Sequence, residues 1–280
     1  KNKQTVVIGT NQNPYSECDV KSLTEEGGFL ARRRTGGGAV YHDLGNLNFS
    51  FVADKEIYDV KRQMTVIQKA LLNYGLETEV SGRNDITYQG RKFSGNAFAK
   101  TKHQGLHHGT ILIKTDGEKL QRYLKVKPAK LHKHGVKSVA SRVINLSEVA
   151  DITSENIIPH LIKAFEEVYQ GKAKTIDFNS LCSDEVVRQS QYIGSDEYLY
   201  GKWKEFNTKK NATFDWGSVE IDIDIDENKG IIKNINIASD SLDPASINLA
   251  IEILKDASIH DKPIFPKDNI IVRDIVEMIY

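Results

Sequence analysis

The feature that most constrains this chain is RRRTGGGAVYHD at residues 32–43, where Arg32, Arg33 and Arg34 run through Thr35 into Gly36, Gly37 and Gly38. Glycine loses more conformational entropy on folding than any other residue, so a run of three belongs where backbone takes φ > 0 or approaches something closely. Guanidinium forks match phosphate and carboxylate oxygens, and successive exposed N–H groups form a concave anion site. The run reads as a phosphate cradle, and a basic, flexible surface turn is the alternative. GxGxxG is absent and no Gly-Lys-Ser/Thr follows, so dinucleotide-binding and P-loop folds are unsupported.

At 280 residues the chain has room for one large and one small domain, taking about 100–200 residues per domain. Its 38 Lys+Arg balance 38 Asp+Glu, so no global basic field exists to drive nucleic-acid binding, and any anion site is local. Cys18 and Cys182 have no CxxC spacing, which argues against a disulfide scaffold or structural zinc and fits a reducing, cytoplasmic setting. No apolar run reaches the length of a membrane span, and no signal peptide is visible. The chain opens with Lys1 directly before a strand-like segment, so residues upstream are expected.

Thr5–Gly9 reads as a buried strand, and the polar stretch to Glu26 as a possible helix. Residues 46–52 alternate as a half-buried strand. Val60, Met64, Ile67, Leu71 and Leu72 recur at helical spacing up to Gly75. Residues 85–98 form two alternating runs around Gln89-Gly90, a hairpin signal, and 107–113 another strand, giving an antiparallel sheet. Helices are expected over 120–124, 159–169 and 185–200. Polar, lysine-rich 206–211 then precedes alternating 216–225 and 231–237 and a helix over 244–254. The expected division is a catalytic unit, 1–205, and an accessory α+β unit, 206–280.

A second constellation gathers Asn84, Asp85, Arg91, Lys92 and Asn96. Lys92 is either a solvated edge-strand lysine or an inward point charge for a phosphate or developing oxyanion. Asp85 either holds magnesium beside a polyphosphate or pairs with Arg83 or Lys92. Adjacent His107 and His108 face opposite sides of a strand and cannot share a metal; one is expected at a site and the other in solvent. His42 has a structural reading and a site reading.

These segments resemble the lipoate-protein ligase A family of the biotin/lipoate protein ligase superfamily. The likeness rests on 32–46, on SGRNDI (81–86), GRKFSGNA (90–97), HHGTIL (107–112) and SVASRVINL (138–146), with weaker likeness at RQS (188–190) and FDWGSVE (214–220). The family's opening strand and helix have no counterpart. The resemblance implies a mostly antiparallel sheet flanked by helices, a C-terminal accessory domain and a two-step reaction. Lipoate attacks the α-phosphate of ATP, giving lipoyl-AMP and pyrophosphate, and an acceptor lysine then takes the lipoyl group. It implies that Arg33 and the backbone of Gly38, Ala39, Val40 and Tyr41 hold the phosphates, with Asn84 and Asp85 nearby, the latter with magnesium. It places Lys92 against both the lipoate carboxyl and the α-phosphate, Arg33, Gly37, His42 and His108 about lipoate, and Val40 and Ile111 along its apolar slot. The implied partners are lipoyl domains of 2-oxoacid dehydrogenase complexes or the glycine cleavage H protein, with no nucleic acid and no membrane. Two rivals stand: an octanoyl or lipoyl transferase using Cys18 or Cys182 without ATP, and a noncatalytic binder of lipoylated domains or anionic ligands.

Overall fold

The computed structural model describes residues 1–125, 143–200, 208–226 and 230–280. The anticipated first strand is β1 (Thr5–Ile8). After it, the polar stretch forms two short helices, α1 (Pro14–Glu17) and α2 (Val20–Glu25), capped by Asn13 and Asp19, whose side chains accept from Tyr15 and Ser22 N–H. Strand β1 runs parallel to β2 (Phe29–Arg32) and antiparallel to β3 (Val40–His42). Alternation sends Val6, Ile8 and Tyr41 into a core with Cys18, Leu23 and Tyr123. Thr5, Val7, Val40 and His42 take the opposite face.

Five strands build the main sheet: β4 (Asn46–Asp54), β5 (Glu79–Ser81), β6 (Asp85–Tyr88), β7 (Arg91–Lys100) and β8 (Gln104–Leu112). Their order is β4-β8-β7-β6-β5, every pair antiparallel. Gln89 and Gly90 both hold positive φ, 49° and 74°, the requirement of the tight β6–β7 turn. One face of the sheet packs on α3 (Val60–Leu72). Helix α4 (Gly117–Tyr123) follows the sheet, and α5 (Ser154–Tyr169) packs beside α3. Helix α5 starts at Ser154 rather than Pro159 because Thr153 and Asn156 cap its first turn reciprocally. Leu47, Ile86, Phe93 and Ile111 meet Met64, Ile67, Leu71 and Ile157 in this core. Burying each such side chain contributes about 1.5–3 kcal/mol.

Helices α6 (Asp184–Ile193) and α7 (Asp196–Tyr200) lead to a second sheet, β11-β10-β9, made of β9 (Thr208–Phe214), β10 (Gly217–Asp226) and β11 (Ile231–Ser239). Helices α8 (Pro244–Leu254) and α9 (Ile270–Glu277) pack on it in a separate core of Ile221, Ile223, Ile237, Ile247, Leu254 and Ile275. The segment expected to be merely polar is therefore partly strand β9, whose Lys210 hides its ammonium on the Met278 carbonyl at 2.7 Å. Phe206 and motif residues 138–142 lie outside the described residues. Among the described residues no helix is long and apolar enough to cross a membrane.

Candidate active site

A fault in the β6–β7 ladder aims the lysine. In an unbroken ladder Lys92 would fall opposite Tyr88, on the core side. The register shift between Ile86 and Thr87 instead pairs Lys92 with Thr87 and sends Phe93 into the core. Lys92 thus shares a face with Asp85 and Gly95. Its Nζ lies 2.7 Å from Asp85 Oδ1, and the two side chains keep 34% and 35% exposure. A Cβ on Gly95 would stand 2.9 Å from that Nζ, so this glycine leaves the space into which the lysine folds. Strand β7 is internal to the sheet, which removes the edge-strand reading of Lys92.

The arginine–glycine run behaves differently. Arg33 donates through Nε and Nη2 to Gly36 O at 3.2 and 2.7 Å, through Nη2 to Gly38 O at 2.8 Å, and through Nη1 to Val7 O at 3.1 Å. Arg32 is buried without an acid partner among the described residues and gives its donors to the carbonyls of Gly9, Thr10, Gln12, Tyr198 and Leu199. Burial pulls both guanidinium pKa values down to about 10, so both stay charged at neutral pH. Arg34, exposed, donates to Gln189. Gly37 takes φ 91°, and its N–H donates to Ser241 O of the C-terminal unit at 2.8 Å. A Cβ on Gly36 would meet that same carbonyl at 2.1 Å. At Gly38 a Cβ would meet nothing within 4 Å, so the loop opens there. Ala39 and Val40 are half-buried. The Tyr41 ring is buried against Tyr123, leaving only its backbone for a ligand.

Cross-strand pairing puts His108 opposite Ala97, on the Lys92 face. Its Nε2 lies 2.6 Å from Thr35 Oγ1, which ties the main sheet to the glycine loop. His42 is buried; Asn2 Nδ2 meets its Nδ1 at 3.3 Å, and its Nε2 has no partner. Burial, and next the charge of Arg33, push both imidazoles down to about 4, so both are neutral at pH 7. His107 does not face solvent as expected: it is fully buried among Phe49, Phe51 and Phe98, because the back of this strand is core rather than surface. Ile111, expected along a lipoyl slot, is fully buried in the same main core. Alternation puts Thr110 on the Lys92 face in its place.

Asn84 is fastened to β7: its carbonyl accepts from Asn96 N and Nδ2 at 2.9 and 3.0 Å, and its Nδ2 donates to Asn96 O. Its neighbour Asp85 brings a carboxylate that is free of backbone bonds among those described. Among the described residues no three His, Cys, Asp or Glu side chains form a metal cage. One carboxylate beside the expected phosphate cradle nonetheless fits magnesium, which takes one or two carboxylates and completes its shell with phosphate and water oxygens. Arg83 donates to Trp216 O, so the C-terminal unit touches this turn as well as the glycine loop. The site thus combines one accessible ammonium, an immobilised loop of backbone N–H groups and two neutral imidazoles. That arrangement suits two anions brought together at fixed positive charge.

Residues 1–166 match the family of the lipoyl protein ligase A/B catalytic domain, and 204–264 match the bacterial lipoate protein ligase C-terminus. The chain belongs to the lipoate-protein ligase family. It is 40% identical over 263 residues to a lipoate-protein ligase A of Bdellovibrio bacteriovorus, covering 91% of this chain and 77% of that protein. The structure of P. falciparum LipL1 in complex with lipoate superposes with a TM-score of 0.84 at 34% identity, covering 99% of this chain and 84% of that one. A lipoate-protein ligase A bound with ATP superposes at 0.60 with 28% identity, covering 70% and 82%.

For a member of this family the cysteines are informative. The Cys18 thiol is buried in the small core and pushed up to about 12, chiefly by burial, so it is no nucleophile at neutral pH. Cys182 is exposed at the end of a short 3₁₀ turn. Burial keeps Cys18 from serving as the nucleophile of the transferase alternative. Ser241 escaped the sequence reading, as did the roles of Thr35 and Gly95, although both stand within its motifs. Gly95 carried a signal, a glycine inside a strand, which marks a bulge or close approach.

Proposed function

We propose that this ligase activates lipoate with ATP and transfers it to a protein lysine. A lipoate carboxylate oxygen attacks the α-phosphorus, the bond to the β-phosphate oxygen breaks, and pyrophosphate leaves. The acceptor ε-amine then attacks the acyl carbon, the acyl–phosphate C–O bond breaks, AMP departs and the amine loses a proton. Lys92 is the catalytic residue, exchanging Asp85 for the lipoate carboxylate and the α-phosphate. Arg33 acts through the loop it holds, so that the backbone of Gly38, Ala39, Val40 and Tyr41 meets the nucleotide phosphates. Asn84 and Asp85 sit beside the phosphates, with magnesium on Asp85. Gly37, His42 and His108 line the lipoate site with Val40.

The acceptors are lipoyl domains of 2-oxoacid dehydrogenases or the glycine cleavage H protein, in the cytoplasm. A boundary near Phe206 separates the catalytic unit from a C-terminal unit that caps the glycine loop. The observation that carries this reading is the one-third-exposed Lys92–Asp85 pair on the sheet face that His108 ties to the loop. Pyrophosphate release with lipoate and ATP tests it. Release should require both substrates and fall on the order of 10²–10³-fold in Lys92→Ala. Equal release by that variant would remove the mechanism, and undiminished release by a chain ending at Phe206 would remove the capping role.

A further inference from the structure

The turn that carries Asp85 is held from behind by a buried amide–imidazole chain that the reaction does not touch. Within its nest of Phe49, Phe51 and Phe98, His107 places Nε2 2.8 Å from Asn96 Oδ1 and Nδ1 3.0 Å from Gln63 Oε1. Asn96 Nδ2 already donates to Asn84 O and, at 3.3 Å, to Ser94 Oγ, which fixes its oxygen toward the ring. His107 Nε2 therefore carries the proton, and Nδ1 must accept. Gln63 Oε1 facing Nδ1 would set two lone pairs against each other and leave Gln63 Nε2 without a partner. Turning that amide by half a rotation removes the conflict, because Nε2–H then donates to Nδ1. Burial pushes the ring down to about 4, so it is neutral and keeps one tautomer.

An imidazole is costly to bury among aromatic rings unless it is hydrogen-bonded. Here its bond runs to the one side chain that fastens the site's turn. Asn96 holds Asn84 by the three bonds described above, and Asn84 directly precedes the carboxylate that orients Lys92. Gly109 makes the fit possible, since a Cβ there would stand 2.6 Å from Asn96 Oδ1 and 2.5 Å from the Phe49 ring.

We propose that His107 is a positioning residue: through Asn96 it fixes the Asn84–Asp85 turn and hence the place of Lys92 in the adenylation reaction. This rests on the ligase reading above. The test compares His107→Leu, which removes the donor, with His107→Gln, whose amide N–H can replace Nε2–H, and with Asn96→Ala. Two measurements are made on each: hydrogen exchange of the 83–88 segment in the free protein, and kcat and KM for ATP and lipoate in pyrophosphate release.

His107→Leu should speed exchange at 83–88 and lower kcat on the order of 10–100-fold, with KM for lipoate nearly unchanged. His107→Gln should recover most of both effects. The double variant His107→Leu/Asn96→Ala should lose no more than the worse single one, because both cut one chain. Unaltered exchange at 83–88 in folded His107→Leu, equal losses in the Leu and Gln variants, or additive losses would each overturn the inference. Should His107→Leu fail to fold, Asn96→Ala carries the test, and wild-type exchange and kcat in it would overturn the inference. Exchange is read without turnover, so an inactive wild-type protein would sink the ligase reading while the relay would still be judged on exchange.

Discussion

The two cationic regions of this site use positive charge in opposite ways. In the glycine loop, Arg32 and Arg33 turn their guanidinium forks onto backbone carbonyls, and the loop is immobilised around them. In the β6–β7 hairpin, Lys92 keeps one carboxylate partner and stays one-third exposed. A planar fork with five donors can hold several carbonyls at once, whereas an ammonium on a flexible stem can exchange partners. Neighbouring cations are thus not interchangeable anion ligands: one kind shapes the cradle, and the other meets what enters it.

Exchanging the two side-chain types should break that contrast if it is wrong. Lys92→Arg, with charge kept, should lower pyrophosphate release on the order of 10²-fold, because a guanidinium does not fit the space over Gly95. Near-normal release would show that charge alone suffices. Arg33→Lys should act on the loop rather than the chemistry. It removes charge-assisted bonds to Gly36 and Gly38 of about 1.5–3 kcal/mol each, lowering the melting temperature and raising KM for ATP about tenfold. An unchanged melting temperature with a collapsed kcat would make Arg33 a direct phosphate ligand. Arg34→Ala should do least, within about 0.5 kcal/mol of stability and about twofold in kcat, since its side chain is exposed and its hydrogen bond runs to Gln189, another exposed side chain. A large loss of rate there would place the working arginine outside the loop clamp.

Much of this site was legible because its glycines and turn residues have strict backbone requirements. Gly37 and the Gln89-Gly90 turn take the positive φ that the residue types announce. Period-two alternation separated His107 from His108 correctly, but alternation says only that they differ in side. That the back of the strand is covered depends on β4 and β7, which bring Phe49, Phe51 and Phe98 against His107, and on α3, which brings Gln63. The same limit hid β9, since an inward lysine breaks the apolar alternation that marks a strand.

The sequence by itself determined the strands of strictest alternation and most helices, the tight turn, the cradle's glycines and the family, because these follow from local conformational preference and from residue order. Only the tertiary structure decided where each charge points. An extra residue in β7 turns Lys92 to the Asp85 face, distant carbonyls take up Arg32, and the C-terminal Ser241 closes on Gly37. Hydrogen-bond partners and strand register are properties of the assembled chain, since the groups that satisfy a buried donor come together only when separate segments pack.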